Sequence, residues 1–392
     1  MSHPAVALLC ENYPPDSGGV AVSAQRLAHS LARDVDIHVV RFPLGDPVGP
    51  VRVSTVYEAQ GIRIHDAGPF VNGWAAPPDP ALRARILKEA SQRVAELLAK
   101  LEIDIVHGFG VQSAGLVAAF SSQLLRAPLV QSVRGNDVGR NAFDGTRRRP
   151  LALALEPARL VAPVNRWLAQ LLEAHLPGVA DRVRIVPNGV DGRLLSSSRP
   201  AGRAYGGSGP TVGILGKLRE KKGPYVSTEV ARCFLAPRGG TLLIVGSVEL
   251  DLFREIGWCG DFRKARVVLV RPARDELSDV LLQCDFLIFP SLDDGMANGL
   301  LEAMACARPV ICSPVFDDVV RHGVEGLVAP ALDPQAWIAA CEALWGNAEY
   351  RRSLGQAARE RVARDFTLDA ERRRWLKLYA EILAVDSIGD DR

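Results

Sequence analysis

The chain has 392 residues, 48% of them hydrophobic and 23% charged, which describes a globular protein too long for one hydrophobic core and points to two domains. Its formal net charge of +2 gives no argument for nucleic acid as a partner. No apolar run approaches the roughly 18–20 residues that span a bilayer, and the N-terminus lacks a signal peptide's basic-then-apolar layout, so a cytoplasmic location is expected.

Ala5 to Cys10 reads as a first strand, followed by ENYPPDSGG and a helix with Val20, Ala24, Leu27, Ala28 and Leu31 on one face. Strand, glycine turn, helix is the opening of a doubly wound α/β domain. Ile37 to Val40 is the second strand, and Arg63 and His65 fall in another, before a Pro/Gly/Trp loop near Trp74. Val94, Leu97, Leu98 and Leu101 form a helical face, and IDIVH (103–107) a strand. Residues 112–125 read as helix, 128–133 as a strand ending in RGNDV, 159–164 as a further strand, and Trp167 to Leu172 as a helix. Val183 to Val186 closes this half as a strand running into the turn PNGVD.

Composition then shifts. SSSRPAGRAYGGSGP (196–210) lacks periodicity and reads as an interdomain linker. A second strand-first unit opens at Thr211 with TVGILG, and the turn KLREKKG leads to a helix from Pro224. Strands at 241–245, 266–270, 286–289 and 309–312 alternate with helical segments. Ala336, Trp337, Ala340, Cys341 and Leu344 make an amphipathic helix. The last helix carries Trp375, Leu378, Tyr379, Ile382 and Leu383 on one face and is basic on the other, from Arg372 to Lys377. Seven cysteines (10, 233, 259, 284, 306, 312, 341) lack CxxC or Cys/His clustering, so they are expected as reduced core residues and not as a zinc site.

Three stretches carry chemistry. In the first, Leu287 to Phe289 end a buried strand at Pro290, and Asp293, Asp294, Gly295, Asn298 and Gly299 form the turn into a helix with Leu300, Leu301, Met304 and Ala305 on its apolar stripe. A turn at the C-terminal end of a parallel strand that opens a helix is an anion site, because small residues let the backbone approach and first-turn amides face the ligand. Glu302 lies in that turn of helix and Asp294 eight positions before it, a spacing that can place both carboxylates beside one pocket; the plain alternative, favoured on these two residues alone, is that Glu302 complements the helix dipole and Asp294 is a solvated turn residue. In the second, the cations of Gly216-Lys217-Leu218-Arg219-Glu220-Lys221-Lys222-Gly223 sit on a loop after a parallel strand and can neutralise a diphosphate; a solvated charge run is the plain alternative. The third is the glycine pair Gly18–Gly19, whose place between the first strand and a helix suits a phosphate-facing loop and a simple turn equally well. His107 and Arg134 each end a strand; a strand-terminal histidine is more often a hydrogen-bonded structural residue than a catalyst.

Asp294, seven residues, Glu302, then LEAMACARPVI and HGVEGLVAP resembles the donor-site signature of family-four glycosyltransferases of the GT-B fold. That signature usually has glutamate at both ends of the spacing and glycine before the second strand's proline; Asp294 and Arg308 depart from it. KLREKKG resembles the family's GRLxxxKG element, in which an arginine and a lysine grip the diphosphate. Lys222 matches, whereas Lys217 keeps the arginine's charge without its bidentate fork. PPDSGG resembles the family's PPxxGG loop, IVHGFG its DVVHxH, and Arg134 stands where the histidine of HGxD is common. Arginine cannot shuttle a proton at neutral pH, so any role for Arg134 is electrostatic. PNGVD (187–191) matches a further element, assigned to structure. The resemblance runs from residue 11 to about 380.

It implies an α/β protein of GT-B fold, two Rossmann-like domains facing across a cleft. The expected division is an acceptor-side domain at 1–195, a linker at 196–210, a donor domain at 211–365 and a final helix, 366–392, packing back on the first domain. The implied reaction moves a sugar from a UDP- or GDP-linked donor to a hydroxyl of a glycan, lipid-linked or small-molecule acceptor, with retention and without metal or cofactor. Lys217, Lys222 and the amides of Gly299 and Leu300 would then stabilise the departing diphosphate. Glu302 would hold ribose hydroxyls and Asp294 the donor sugar. Arg134 and His107 complete the catalytic set, and Gly19, Gly216, Arg271, Gly295, Met296, Ala297 and Asn298 complete the donor contacts. Alternatives are a sugar phosphorylase or nucleotide-sugar epimerase of the same fold, or a non-catalytic nucleotide-sugar-binding subunit. The basic runs Arg147–Arg149 and Arg372–Arg374 read as solvated surface or as peripheral contact with anionic lipid.

Overall fold

The computed structural model describes residues 3–16, 18–43, 50–59, 61–68, 79–139, 141–197, 204–205, 207–249 and 265–389. The loop near Trp74, residues 198–203 and 206 of the expected linker, and Cys259 lie outside them. The chain forms two compact units, 1–188 with 368–392, and 189–367. Each is a Rossmann-like α/β domain.

The first unit holds strands β1 (Ala5–Cys10), β2 (Asp36–Arg41), β3 (Arg52–Ala59), β4 (Ile62–Gly68), β5 (Ile105–Phe109), β6 (Leu129–Val133) and β7 (Leu160–Pro163). Its helices are α1 (Gly19–Leu31), α2 (Pro80–Lys100), α3 (Ser113–Leu125), α4 (Asn136–Gly139), α5 (Gly145–Leu155) and α6 (Arg166–His175). The sheet order is β3-β4-β2-β1-β5-β6-β7. All neighbours are parallel except the edge pair β3–β4, an antiparallel hairpin that the irregular sequence pattern there did not announce. Every residue of β1 is buried, as a central parallel strand covered on both faces requires. Leu8, Leu27, Ile37, Ile105 and Val130 form the core together with Trp375, Tyr379 and Ile382 from the final helix. The expected strand at 183–186 is reduced to an isolated bridge, Val161 with Val183. Its would-be partner β7 ends in Pro163, which has no N–H to carry the ladder onward.

The second unit holds β8 (Thr211–Leu218), β9 (Thr241–Val248), β10 (Arg266–Val270), β11 (Phe286–Phe289), β12 (Val310–Cys312) and β13 (Gly326–Val328), in the order β10-β9-β8-β11-β12-β13 and all parallel. Helices α7 (Pro224–Glu229), α8 (Leu277–Leu281), α9 (Asn298–Ala305), α10 (Pro334–Gly346) and α11 (Ala348–Asp365) cover it, and α12 (Leu368–Gly389) belongs to the first unit. Val212, Ile214, Phe286, Ile288, Ile311, Trp337 and Leu344 fill its core. Strand β8 runs on through Lys217 and Leu218, which pair with Ser247 and Val248, so the cationic loop begins only at Arg219.

In each sheet the first strand of the unit has its successor on one side and a later strand on the other. The switch points therefore lie between β1 and β5 and between β8 and β11. Ligands of doubly wound sheets bind beyond the strand ends at such points. There stand the loop Arg219–Gly223 after β8 and the turn Pro290–Ala297 after β11. Among the described residues no helix is long and apolar enough to cross a membrane.

Candidate active site

At the switch point of the second unit, the loop after β8 and the turn after β11 form one piece. The Leu292 amide donates to the Lys221 carbonyl at 2.8 Å. Gly223, at φ +65°, lies so close to Pro290 that a Cβ would run into its carbonyl oxygen; glycine is needed for the backbone angle and for the approach. The contacts bring two lysines onto one carboxylate. Lys222 Nζ donates to Asp294 Oδ2 in an ion pair, and Lys221 Nζ stands 3.8 Å from Oδ1. The Asp294 side chain is only 14% exposed. Burial works against its charge, but the Lys222 and Lys221 ammoniums, with Arg219 beyond them, outweigh it and hold the pKa below the carboxylate range. Lys221 is depressed by its own burial against the attraction of Asp294. The Arg219 Nε is buried and has no hydrogen-bond partner among the described residues, which leaves a donor available to an anion.

Beside this cluster, Gly216 and Gly246 face each other across β8 and β9. Gly246, at φ +143°, has no room for a Cβ against the Gly216 backbone, and the exposed Arg271 donates through Nε to the Gly246 carbonyl at 3.1 Å. Lys217 points to Glu249, with Nζ 3.3 Å from Oε1. Strand geometry thus separates Lys217 from Lys222: the first belongs to an exposed pair on β8, the second to the buried cluster.

Helix α9 starts at Asn298 with Ala297 at its cap and no side-chain capping bond. Gly299 packs the helix on β8, where a Cβ would come within 2.7 Å of the Leu215 side chain. Leu300 donates its amide to the Ala297 carbonyl at 2.9 Å, which removes it from the amides expected to face an anion. Met296 is buried beneath the turn, and Gly295 is buried with it. Glu302 is buried and ion-paired with Arg274. Burial pushes its pKa up, and the Arg274 charge only partly offsets this. The sequence reading missed Arg274 altogether, since nothing in its spacing, 28 positions from Glu302, marks it as a partner.

The remaining candidates lie in the first unit. Gly19 opens α1 behind Gly18, whose φ of +129° suits a residue without a side chain. His107 is fully buried on β5, with Nδ1 2.6 Å from the Tyr379 hydroxyl and Nε2 2.7 Å from Ser132 Oγ. Burial, and then the Arg134 charge, push its pKa down to about 3. A neutral imidazole with both nitrogens occupied shuttles no proton; His107 ties α12 to β5 and β6, and its expected place in the catalytic set is corrected to a structural one. The Arg134 guanidinium lies 4.0 Å from the Phe109 ring centre and donates to Asn188 Oδ1 at 2.5 Å. Its backbone amide and that of Gly135 donate to the buried Asp137. At the other side of this switch point, Glu11 accepts from the Ala114 amide at 3.1 Å and so fixes the head of α3 to the end of β1.

Residues 17–193 match a family model described as Glycosyltransferase Family 4, and residues 209–347 one described as Glycosyl transferases group 1. A D-inositol 3-phosphate glycosyltransferase of Paenarthrobacter aurescens is 24% identical over 88% of either chain. Its counterpart from Nocardia farcinica is 26% identical, over 88% of this chain and 80% of the other. Among solved structures, sucrose-phosphate synthase from Thermosynechococcus elongatus superposes with a TM-score of 0.75 at 20% identity, covering 98% of this chain and all of that one. HepE from Anabaena, in complex with UDP and glucose, gives 0.73 at 18% identity, covering 96% of this chain and 100% of that one. These likenesses are to GT-B glycosyltransferases.

Proposed function

The chain belongs to the group 1 glycosyltransferases of family four, and from that premise we propose that it transfers a sugar from a nucleotide-diphosphate donor to an acceptor hydroxyl with retention of configuration and without a metal. The observation that carries the donor is the cluster of Lys221, Lys222 and Arg219 on Asp294 at the switch point of the second sheet. A compact group of cations on a strand-end loop suits a diphosphate, and a solvated charge run would not bury its lysines around a carboxylate. The UDP held by HepE, and the ADP held by starch synthase IV from Arabidopsis thaliana, support a nucleoside diphosphate as the ligand here, UDP or GDP by our reading.

The bond from the anomeric carbon to the terminal phosphate oxygen breaks, and its electron pair stays with the diphosphate. Lys222 gains most as that charge grows, and Arg219 offers the unpaired Nε beside it. Asp294, next to Lys222, takes the donor sugar's hydroxyls and Glu302 the ribose. The acceptor oxygen bonds the anomeric carbon on the face the diphosphate leaves, and its proton passes to the departing phosphate. The acceptor is a hydroxyl of a glycan, a lipid-linked compound or a small molecule. The test is release of nucleoside diphosphate from UDP- and GDP-sugars with acceptor, in excess EDTA, with the product's anomeric configuration read by NMR. Turnover that survives chelation and gives the donor's anomer is expected. Activity that vanishes with EDTA and returns with magnesium or manganese, or an inverted product, overturns the reading.

A further inference from the structure

Helices α2, α3 and α5 of the first unit enclose a cavity of 880 Å³, within the range that takes a drug-sized ligand. Its lining includes Leu87, Leu116, Phe120, Leu124, Pro150 and Leu153. Two of these, Leu124 and Leu153, are 59% and 42% exposed, so the apolar lining continues out to solvent. A continuous apolar surface of this kind marks a binding site when something polar specifies the ligand.

The polar specification is cationic. Arg83, Lys88 and Arg147 line the same cavity, against Asp144 as its one lining carboxylate among the described residues, which leaves the lining net positive. Asp144 is engaged by Arg147 at 3.0 Å. Burial, and then the Arg147 charge, depress Arg83, with Glu11 opposing them; the two guanidiniums act on one another across the site. An anion placed at both relieves that repulsion. An inorganic anion would have no use for the leucines, and an apolar ligand none for the arginines.

We propose that this cavity binds an anionic amphiphile, with a single apolar chain along Leu116, Phe120, Leu124 and Leu153 and a phosphate-type headgroup at Arg83 and Arg147. The site is built from the first unit alone, so the inference goes beyond the transferase reading and does not depend on it.

The test is titration calorimetry of the full chain with octyl and decyl phosphate below their critical micelle concentrations, beside inorganic phosphate and octanol. An apolar channel strengthens binding roughly fourfold per methylene, from about 0.8 kcal/mol each, so decyl phosphate should bind about tenfold or more tighter than octyl phosphate. Inorganic phosphate should bind far more weakly than either. Arg147→Gln should weaken decyl phosphate about tenfold and leave octanol unchanged. Leu153→Asp should abolish the chain-length dependence. Melting temperatures of both variants near the parent's confirm that the readout is local; should Arg147→Gln unfold, Arg83→Gln takes its place with the same expectation. Affinity independent of chain length, equal binding of octanol and octyl phosphate, or indifference to Leu153→Asp overturns the proposal. Binding to anionic vesicles with none to monomeric decyl phosphate also overturns it, since the face would then be a membrane contact.

Discussion

Lys222 is ion-paired with Asp294, 72 positions away in the sequence. Two residues expected to hold different parts of a sugar nucleotide hold one another. A diphosphate that reaches Lys222 therefore competes with the Asp294 carboxylate for the same ammonium, and this coupling shapes what each substitution does.

Asp294→Asn keeps the size of the side chain and removes the competing charge. Free nucleoside diphosphate should bind as well as before or slightly better, because Lys222 and Lys221 are no longer shared. The sugar nucleotide should lose about tenfold in affinity through the lost hydrogen bonds to sugar hydroxyls. Calorimetry on both ligands decides; equal losses on the two would contradict the assignment of Asp294 to the sugar.

Lys222→Ala should harm turnover more than binding. The diphosphate is already anionic in the bound donor and becomes more so as the glycosidic bond breaks, so its cation contributes most in the transition state. Loss of one such donor costs on the order of 10²–10³ in kcat, about 2.7–4 kcal/mol. Lys217→Ala should be much milder, because Lys217 is spent on Glu249 at the strand edge. Steady-state kinetics at saturating donor separates the two, and near-normal turnover of Lys222→Ala would place the diphosphate elsewhere.

Glu302→Gln should weaken nucleoside diphosphate and sugar nucleotide alike, by about tenfold, since the ribose is common to both. Arg274→Ala should follow it, because Arg274 is the ion-pair partner of Glu302 and opposes the upward push of burial on its pKa. Unequal losses on the two ligands for Glu302→Gln would remove it from the ribose.

Much of this was legible without coordinates. The first strand at Ala5–Cys10 and the donor-side strand 286–289 fall where their apolar runs end in polar or proline residues, because central parallel strands announce themselves by continuous burial; the edge strand 266–270, which is not buried, was legible from its apolar run alone. The turn around Asp294 was legible from its glycines. Three features were not. Strand β8 continues through charged Lys217, where only pairing with β9 defines the element. Arg274 meets Glu302 through the sheet's topology and not through sequence spacing. His107 looked catalytic because the run IDIVH placed it at a strand end in a recognised motif, but β5 continues to Phe109, and Tyr379, 272 positions away, closes it off. Long-range packing carries no local signature.

That burial gives a pH dependence to stability. Folding depresses the His107 pKa from 6.5 to about 3, so the unfolded chain binds the proton more readily than the folded one. The contribution is fully present above pH 6.5 and is lost as pH falls from there toward 3. His107→Gln, which keeps hydrogen-bonding atoms but does not titrate, should melt lower at neutral pH and lose part of that acid slope. Tyr379→Phe should cost about 1–3 kcal/mol by leaving the buried Nδ1 without its partner. Thermal melts from pH 7.5 to 4 (about the range that spans the shift) read both; an unchanged slope in His107→Gln would assign the acid sensitivity elsewhere.

The donor site is tested most directly by the melting transition of the full chain with UDP, GDP and ADP, measured beside Glu302→Gln. At a hundredfold excess over its Kd a ligand stabilises the fold by about 2.7 kcal/mol, readily seen as a rise in Tm. At least one of the three diphosphates should raise the transition of the native protein, and the rise should shrink in Glu302→Gln. If none of the three moves it, no nucleoside diphosphate occupies the cluster of Lys221, Lys222 and Arg219, and the donor site drawn on the second unit is wrong.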